Sequence, residues 1–165
     1  MILKTLDNNI KKLVIYYLIT LGVGFSLGVF YVYLNSEFSS SGMVEQYLGN
    51  EDQEELRWDD PYYDYKPAKT LKDLVSHTHE HITMFSIIFI SLGFIFSYNS
   101  IIFGFWKNFL ILEPFISIVI TFGGFFIIRY ISSEFSYVIM LSSLLMYICF
   151  YVMLFICLYE LLLKK

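Results

Sequence analysis

Polar residues in this chain are gathered into short clusters, and the stretches between them read as four long apolar runs. The first, "LVIYYLITLGVGFSLGVFYVYL", spans Leu13 to Leu34, 22 residues, which matches the roughly 20 that cross about 30 Å of hydrocarbon. A cleaved signal peptide would have a shorter apolar core and a small-residue cleavage pattern. The following "NSEFSSSG" has no A-x-A, so the run is read as an uncleaved anchor. A polar segment covers 35–69. The second span is expected over 71–98, the third over 109–131 and the fourth over 135–163. Only "SSE" separates the last two, which predicts a tight antiparallel hairpin. The pattern describes an all-α integral membrane protein, one membrane domain built as a four-helix bundle.

Local signals refine these elements. Thr70 and Asp73 are spaced as a capping box that opens the second helix. Within 35–69, "VEQYL" and "QEELRW" can each form a short helix, while "WDDPYYDYKP" is expected to be extended around its prolines. In the first span Gly24 and Gly28 form GxxxG, a spacing that admits a close helix and is read mainly as ordinary packing. The apolar part of the second span, Ile82 to Phe96, is 15 residues, or about 22 Å, short of a membrane crossing. Either the helix runs on through "SYNS" into "IIFGFW", or the turn holding residues 77–81 lies inside the outer edge of the bilayer. Ser97, Asn99 and Ser100 suit a helix end, and Trp106 beside Lys107 resembles an interfacial belt. The second solution is therefore preferred.

Composition agrees with the pattern. The chain is 57% hydrophobic and only 16% charged, with a mean hydropathy of +0.62, outside the range of soluble globular domains. Four spans in 165 residues leave no room for a separate soluble enzyme domain. Lys4, Lys11, Lys12, Lys107, Lys164 and Lys165 fall on one side of the membrane. On the other, Arg57, Lys66, Lys69 and Lys72 are diluted among nine acids of the 35–69 segment. The positive-inside rule places both termini in the cytoplasm and the acidic segment outside. Cys149 and Cys157 stand eight apart in the last span, too far for a CxxC, and are read as small core residues.

The residues that could carry chemistry sit near the outer edge. All three histidines, His77, His79 and His81, lie within five positions. At four-residue helical spacing Asp73, His77 and His81 share one stripe, continued by Met84, while His79 projects elsewhere. A carboxylate, two imidazoles and a thioether on one face form a possible ligand set for copper, zinc or haem iron, and His-x3-His is a helical zinc spacing. A proton-handling role and a plain interfacial cluster remain open beside it. Arg129, at similar depth in the third span, could bind Asp73, Glu80, Glu134 or a haem propionate, or snorkel to the surface. Glu113 precedes Pro114 and reads either as a helix N-terminal carboxylate near the inner end, with Pro114 at the first helical position, or as an intramembrane acid. Glu160 is read as interfacial. Gly123 and Gly124 leave room for a bulky neighbour, an aromatic side chain or a flat cofactor. There is no CxxCH, phosphate loop, dinucleotide fingerprint, Ser/His/Asp set or basic stripe for nucleic acid.

"HEH" at the head of the second span, "EP" early in the third, "FGG...RY" closing it and "SSLLM...LYELL" in the fourth give a resemblance to small four-span bacterial inner-membrane proteins. It covers residues 70–163 and points to His79, His81, Glu113, Pro114, Arg129 and Tyr130. It implies a fold and a set of positions rather than an activity. If His79 and His81 are the pair that matters, they face different sides of one helix and the stripe through His77 loses weight.

Three functional expectations follow. The first is a small membrane subunit that binds haem b or a transition metal through these histidines, as part of an electron-transfer or respiratory complex. As no histidine lies elsewhere, two-imidazole haem ligation across helices would need a second subunit or a methionine. The second is a non-catalytic assembly subunit, or a homo-oligomer. Its outer segment, with Trp58, Asp59, Asp60, Tyr62 and Tyr63, would dock a partner such as a basic soluble electron carrier. The third, transport of protons or metal ions, is opposed by the scarcity of polar residues between Glu113 and the histidines.

Overall fold

The structure, a computed structural model, describes residues 3–50 and 65–163. Among them every regular element is a helix: α1 (Asn8–Ser36), α2 (Ser40–Leu48), α3 (Leu71–Ser97), α4 (Gly104–Tyr130) and α5 (Ser136–Leu162), with single 3-10 turns at Leu3–Thr5 and Ser133–Phe135. Four helices, α1, α3, α4 and α5, are long and apolar enough to cross a membrane. They run up and down. One end of the bundle carries the chain's first and last turns and the α3–α4 connection; the other carries α2 and the α4–α5 turn, and is called the loop face below. The segment that holds "QEELRW", Trp58, Asp59, Asp60, Tyr62 and Tyr63 lies outside the described residues.

Helix α3 begins at a complete capping box: the Thr70 hydroxyl accepts from the Asp73 N–H at 3.2 Å, and Asp73 Oδ2 accepts from the Thr70 N–H at 3.2 Å. It stops at Ser97 and does not run into "IIFGFW". Asn99 is the reason, because its Oδ1 accepts from the N–H groups of Ile101 and Ile102 at 3.0 and 2.8 Å. Those bonds turn the chain back. Glu160 fixes the same turn from α5, accepting from both the Ser100 N–H and the Ser100 hydroxyl at 2.7 Å. Glu160 is thus fully buried, at the end of the bundle that carries the α3–α4 connection.

Helix α4 starts at Gly104, five residues before the expected 109. Lys107 reaches back to the Asn99 carbonyl at 3.1 Å, which draws "GFWKN" into the helix. The shift changes the setting of Glu113 and Pro114. Pro114 is interior, not at the first helical position, so the helix-dipole reading of Glu113 does not apply. Glu113 lies about 14 Å along the helix from Gly104, well inside a span. Helices α4 and α5 approach closely where Gly124 faces Ile139; a Cβ there would come within 2.7 Å of Ile139 Cγ1 and 2.9 Å of Phe135 Cε1. The bulky neighbour admitted at this glycine is a pair of side chains.

Helix α1 is the least enclosed span and is held at a few points. Phe25 stacks on Phe150 at 3.6 Å, with Phe85, Phe89, Tyr147 and Tyr151 edge-on around it. Gly22 lies against Leu154, and the Ser26 and Tyr151 hydroxyls are 2.8 Å apart. A Cβ added at Gly24 or Gly28 would meet no atom of the described residues within 4 Å. Among those residues, then, nothing packs into the GxxxG spacing.

Candidate functional site

The loop face is closed by α2. Ser39 caps it, its hydroxyl accepting from the Gly42 N–H at 3.0 Å, and its apolar positions Met43, Val44, Tyr47 and Leu48 turn toward the bundle. Tyr47 is buried and stacks on Phe125 of α4 at 4.1 Å. Burial raises its phenol pKa above the ordinary value. The base of the 50–66 excursion is tied by main-chain bonds from Asn50 N–H to the Lys66 carbonyl (3.0 Å) and from Lys69 N–H to the Tyr47 carbonyl (3.1 Å). Gly49 permits this with a φ of +84°, where a Cβ would strike the Ala68 nitrogen at 2.5 Å.

Beneath α2 lie two of the three histidines. His77 and His81, one turn apart on α3, stack at 4.1 Å with 28° between planes. Tyr47, Phe122 and Phe125 surround His77, and Phe85 and Phe122 flank His81. His81 Nδ1 lies 2.9 Å from the His77 carbonyl oxygen. A carbonyl can only accept, so Nδ1 carries a proton and Nε2 is the nitrogen not engaged by this bond. His77 Nδ1 is buried without a hydrogen-bond partner among the described residues. That is the feature of this face most in need of explanation, because an orphaned buried polar nitrogen is costly.

The other expected ligands are elsewhere. Asp73 is exposed and occupied by the capping box, also accepting from the Thr70 hydroxyl at 2.7 Å. His79 is exposed on another side of α3. Met84 is 63% exposed and does not continue the histidine stripe. The buried stripe of α3 runs through Leu74, Phe89, Leu92 and Phe96, and Phe85 extends it from His81 by a four-residue step. A three-residue step to Met84 leaves it for the lipid side. Among the described residues no three His, Cys, Asp or Glu side chains converge as a metal-ligand set.

Arg129 donates from Nε to the Lys69 carbonyl at 3.0 Å, and its guanidinium lies 5.6 Å from the Tyr130 ring centroid. It pairs with none of Asp73, Glu80 and Glu134: the ion pair found among the described residues is Lys66 with Glu45 at 3.8 Å. Arg129 thus fastens the start of α3 to the end of α4. Glu80 accepts from the Ser76 hydroxyl at 2.9 Å, and Glu134 is exposed in the α4–α5 turn.

Glu113 is distant from all of these. It is buried between α4 and α5, its Oε1 bonded to the Ser117 hydroxyl, with the Cys149 thiol alongside. Its Oε2 has no hydrogen-bond partner among the described residues. The sequence pointed to Glu113 but not to Ser117, Ser142 or Tyr47. A Glu at i and a Ser at i+4 share a helix face, so Ser117 was within reach of pattern reasoning, whereas Tyr47 required knowing how α2 folds over the bundle.

Four long apolar helices, the last three joined by short turns and the bundle capped at one end by α2, define a multi-pass helical membrane protein. The chain belongs to the Aq_1264_TM family, a transmembrane helical domain, whose model matches residues 37–165. The match begins just after α1 and covers α2 to α5. Neither a curated protein nor a solved structure matches the chain.

Proposed function

We propose that the chain is a membrane subunit that contributes a two-imidazole half-site for a transition-metal ion, copper or zinc, completed by ligands from a second subunit. The observation that carries this reading is the His77–His81 pair: Nδ1 of His77 is buried and unsatisfied among the described residues, and the Nδ1 bond of His81 orients that ring with Nε2 open. Neutral imidazoles suit both metals, and a hydrogen bond at the second ring nitrogen is the usual companion of ligation. Haem b is the other candidate, since an imidazole nitrogen also serves as its axial ligand. The setting is a bacterial inner membrane with the loop face outward, as the basic residues and the motif resemblance indicate, and the partner an electron-transfer complex.

The stacking itself favours a second reading, a non-catalytic assembly subunit. Two rings lying nearly flat on each other are packed as core, and binding one ion would open their 28° angle. In that case the acidic segment with Trp58, Asp59, Asp60, Tyr62 and Tyr63 docks a partner, and the histidines fill space.

One experiment separates the two. The protein is extracted from its native membranes with any associated subunits, and copper, zinc, iron and visible absorption are measured. The half-site reading expects stoichiometric copper or zinc, falling to roughly a tenth or less in His77→Ala and His81→Ala and unchanged in His79→Ala. Metal-free protein whose partners still co-purify with all three histidines replaced favours the assembly role.

A further inference from the structure

On the lipid-facing side of the α4–α5 seam lies a groove of about 500 Å³, lined by Phe105, Phe109, Leu112, Ile120 and Leu141, with Glu113, Ser117 and Ser142 at its floor. Its volume is within the range of small-molecule sites. Its walls are apolar apart from Asn108, and Leu112 and Leu141 are 61% and 70% exposed. Whatever enters comes through the bilayer.

The floor holds one buried carboxylate oxygen without a hydrogen-bond partner among the described residues. Ser117 donates to Glu113 Oε1, Ser142 donates to the Ser117 carbonyl at 3.2 Å, and Thr121 donates to Ser142 at 3.3 Å. The proton of each hydroxyl is therefore used. Glu113 is 7% exposed, and its Oε2 is the floor atom without a partner among the described residues. Toward the end of the bundle with the chain termini, Phe105 and Phe109 offer ring surfaces to the same space, their centroids 6.2 Å apart.

We propose that this groove binds a membrane-dissolved quinone or quinol, its ring against Phe109 and one ring oxygen sharing a proton with Glu113 Oε2, given by the phenol O–H of a quinol or by the carboxyl O–H to the carbonyl of a quinone. Three observations select that occupant. The partnerless buried oxygen of Glu113 asks for a head group that presents an oxygen there. The aromatic wall accepts a flat ring by offset or edge contact. The lateral opening suits an apolar tail that stays in lipid. A lipid acyl chain would leave Oε2 unsatisfied, and a helix from a second copy would need a polar side chain at that depth. The site is separate from the His77–His81 pair and does not rest on the reading given for it.

Trp106 reports on occupancy, because its ring meets Phe109 edge-on at 6.0 Å. With Trp58→Phe removing the other tryptophan, the detergent-solubilised chain is titrated with decylubiquinone and Trp106 fluorescence is followed. Saturable quenching is expected. It should weaken about ten-fold or more in Glu113→Leu, which deletes the hydrogen-bonding oxygen, and change only a few-fold in Glu113→Gln, which keeps one. Leu141→Phe, which narrows the mouth without touching the floor, should also weaken binding. Quenching that rises linearly with quinone, or that is the same in Glu113→Leu as in the parent, overturns the proposal in favour of simple partitioning or a lipid tail. A dimer by light scattering, lost on adding Leu141→Phe and indifferent to quinone, overturns it in favour of a second copy.

Discussion

Tyr47 gives the loop face a pH signature of definite sign. Burial raises its phenol pKa in the folded state, while the unfolded chain titrates near the ordinary value of 10. The folded form therefore retains a proton that the unfolded form loses. Stability from this group is complete below pH 10 and declines above it, by about 1.4 kcal/mol per pH unit at most. Thermal unfolding in detergent between pH 9 and 11 should show a steeper fall for the parent than for Tyr47→Phe, which keeps the ring stack on Phe125. Equal slopes would mean that the hydroxyl is wet. Glu160 tests burial differently. Replacing it with Leu leaves the Ser100 N–H and hydroxyl without these acceptors, which should cost about 2–4 kcal/mol. Glu160→Gln keeps one carbonyl acceptor and should cost clearly less in the same denaturation series.

At the scale of elements, the two neighbouring glycines of α4 make a matched pair. A Cβ at Gly124 collides with Ile139 and Phe135, whereas at Gly123 it meets no atom of the described residues within 4 Å. Gly124→Ala should lower the unfolding temperature by forcing α4 and α5 apart. Gly123→Ala should leave it unchanged or raise it, as alanine is the better helix former by about 1 kcal/mol. The same pair shows what the sequence could convey. The four apolar helices and the Thr70–Asp73 cap were legible because length, apolar content and capping chemistry are local properties. The start of α4 was not, since it depends on Lys107 reaching a carbonyl that only exists once Asn99 has turned the chain. That non-local bond moved Glu113 from a helix end to the middle of a span. The histidine stripe was legible as far as His77 and His81 sharing a face. Met84 was lost from it because the true centre of the α3 core face, marked by Leu74, Leu92 and Phe96, is rotated away from a strict four-residue series.

For the molecule as a whole, orientation in the membrane decides which compartment the loop face meets. Basic side chains gather at the end that carries Lys11, Lys12 and Lys107, and acidic ones belong to the segment beyond α2; by the positive-inside rule the loop face is expected outward. Cysteine labelling can read this directly, because Cys149 and Cys157 are fully buried and give little background. Ser41 and Lys12 are exposed at opposite ends of the bundle. In intact cells a membrane-impermeant maleimide should label Ser41→Cys and spare Lys12→Cys, and permeabilisation should equalise them. The reverse pattern would put His77 and His81 at the cytoplasmic surface, where a basic soluble carrier outside the cell membrane could not reach the acidic segment. The α4–α5 groove would survive that result, since it opens to lipid, and the half-site would have to draw its remaining ligands from a cytoplasmic rather than an outer partner.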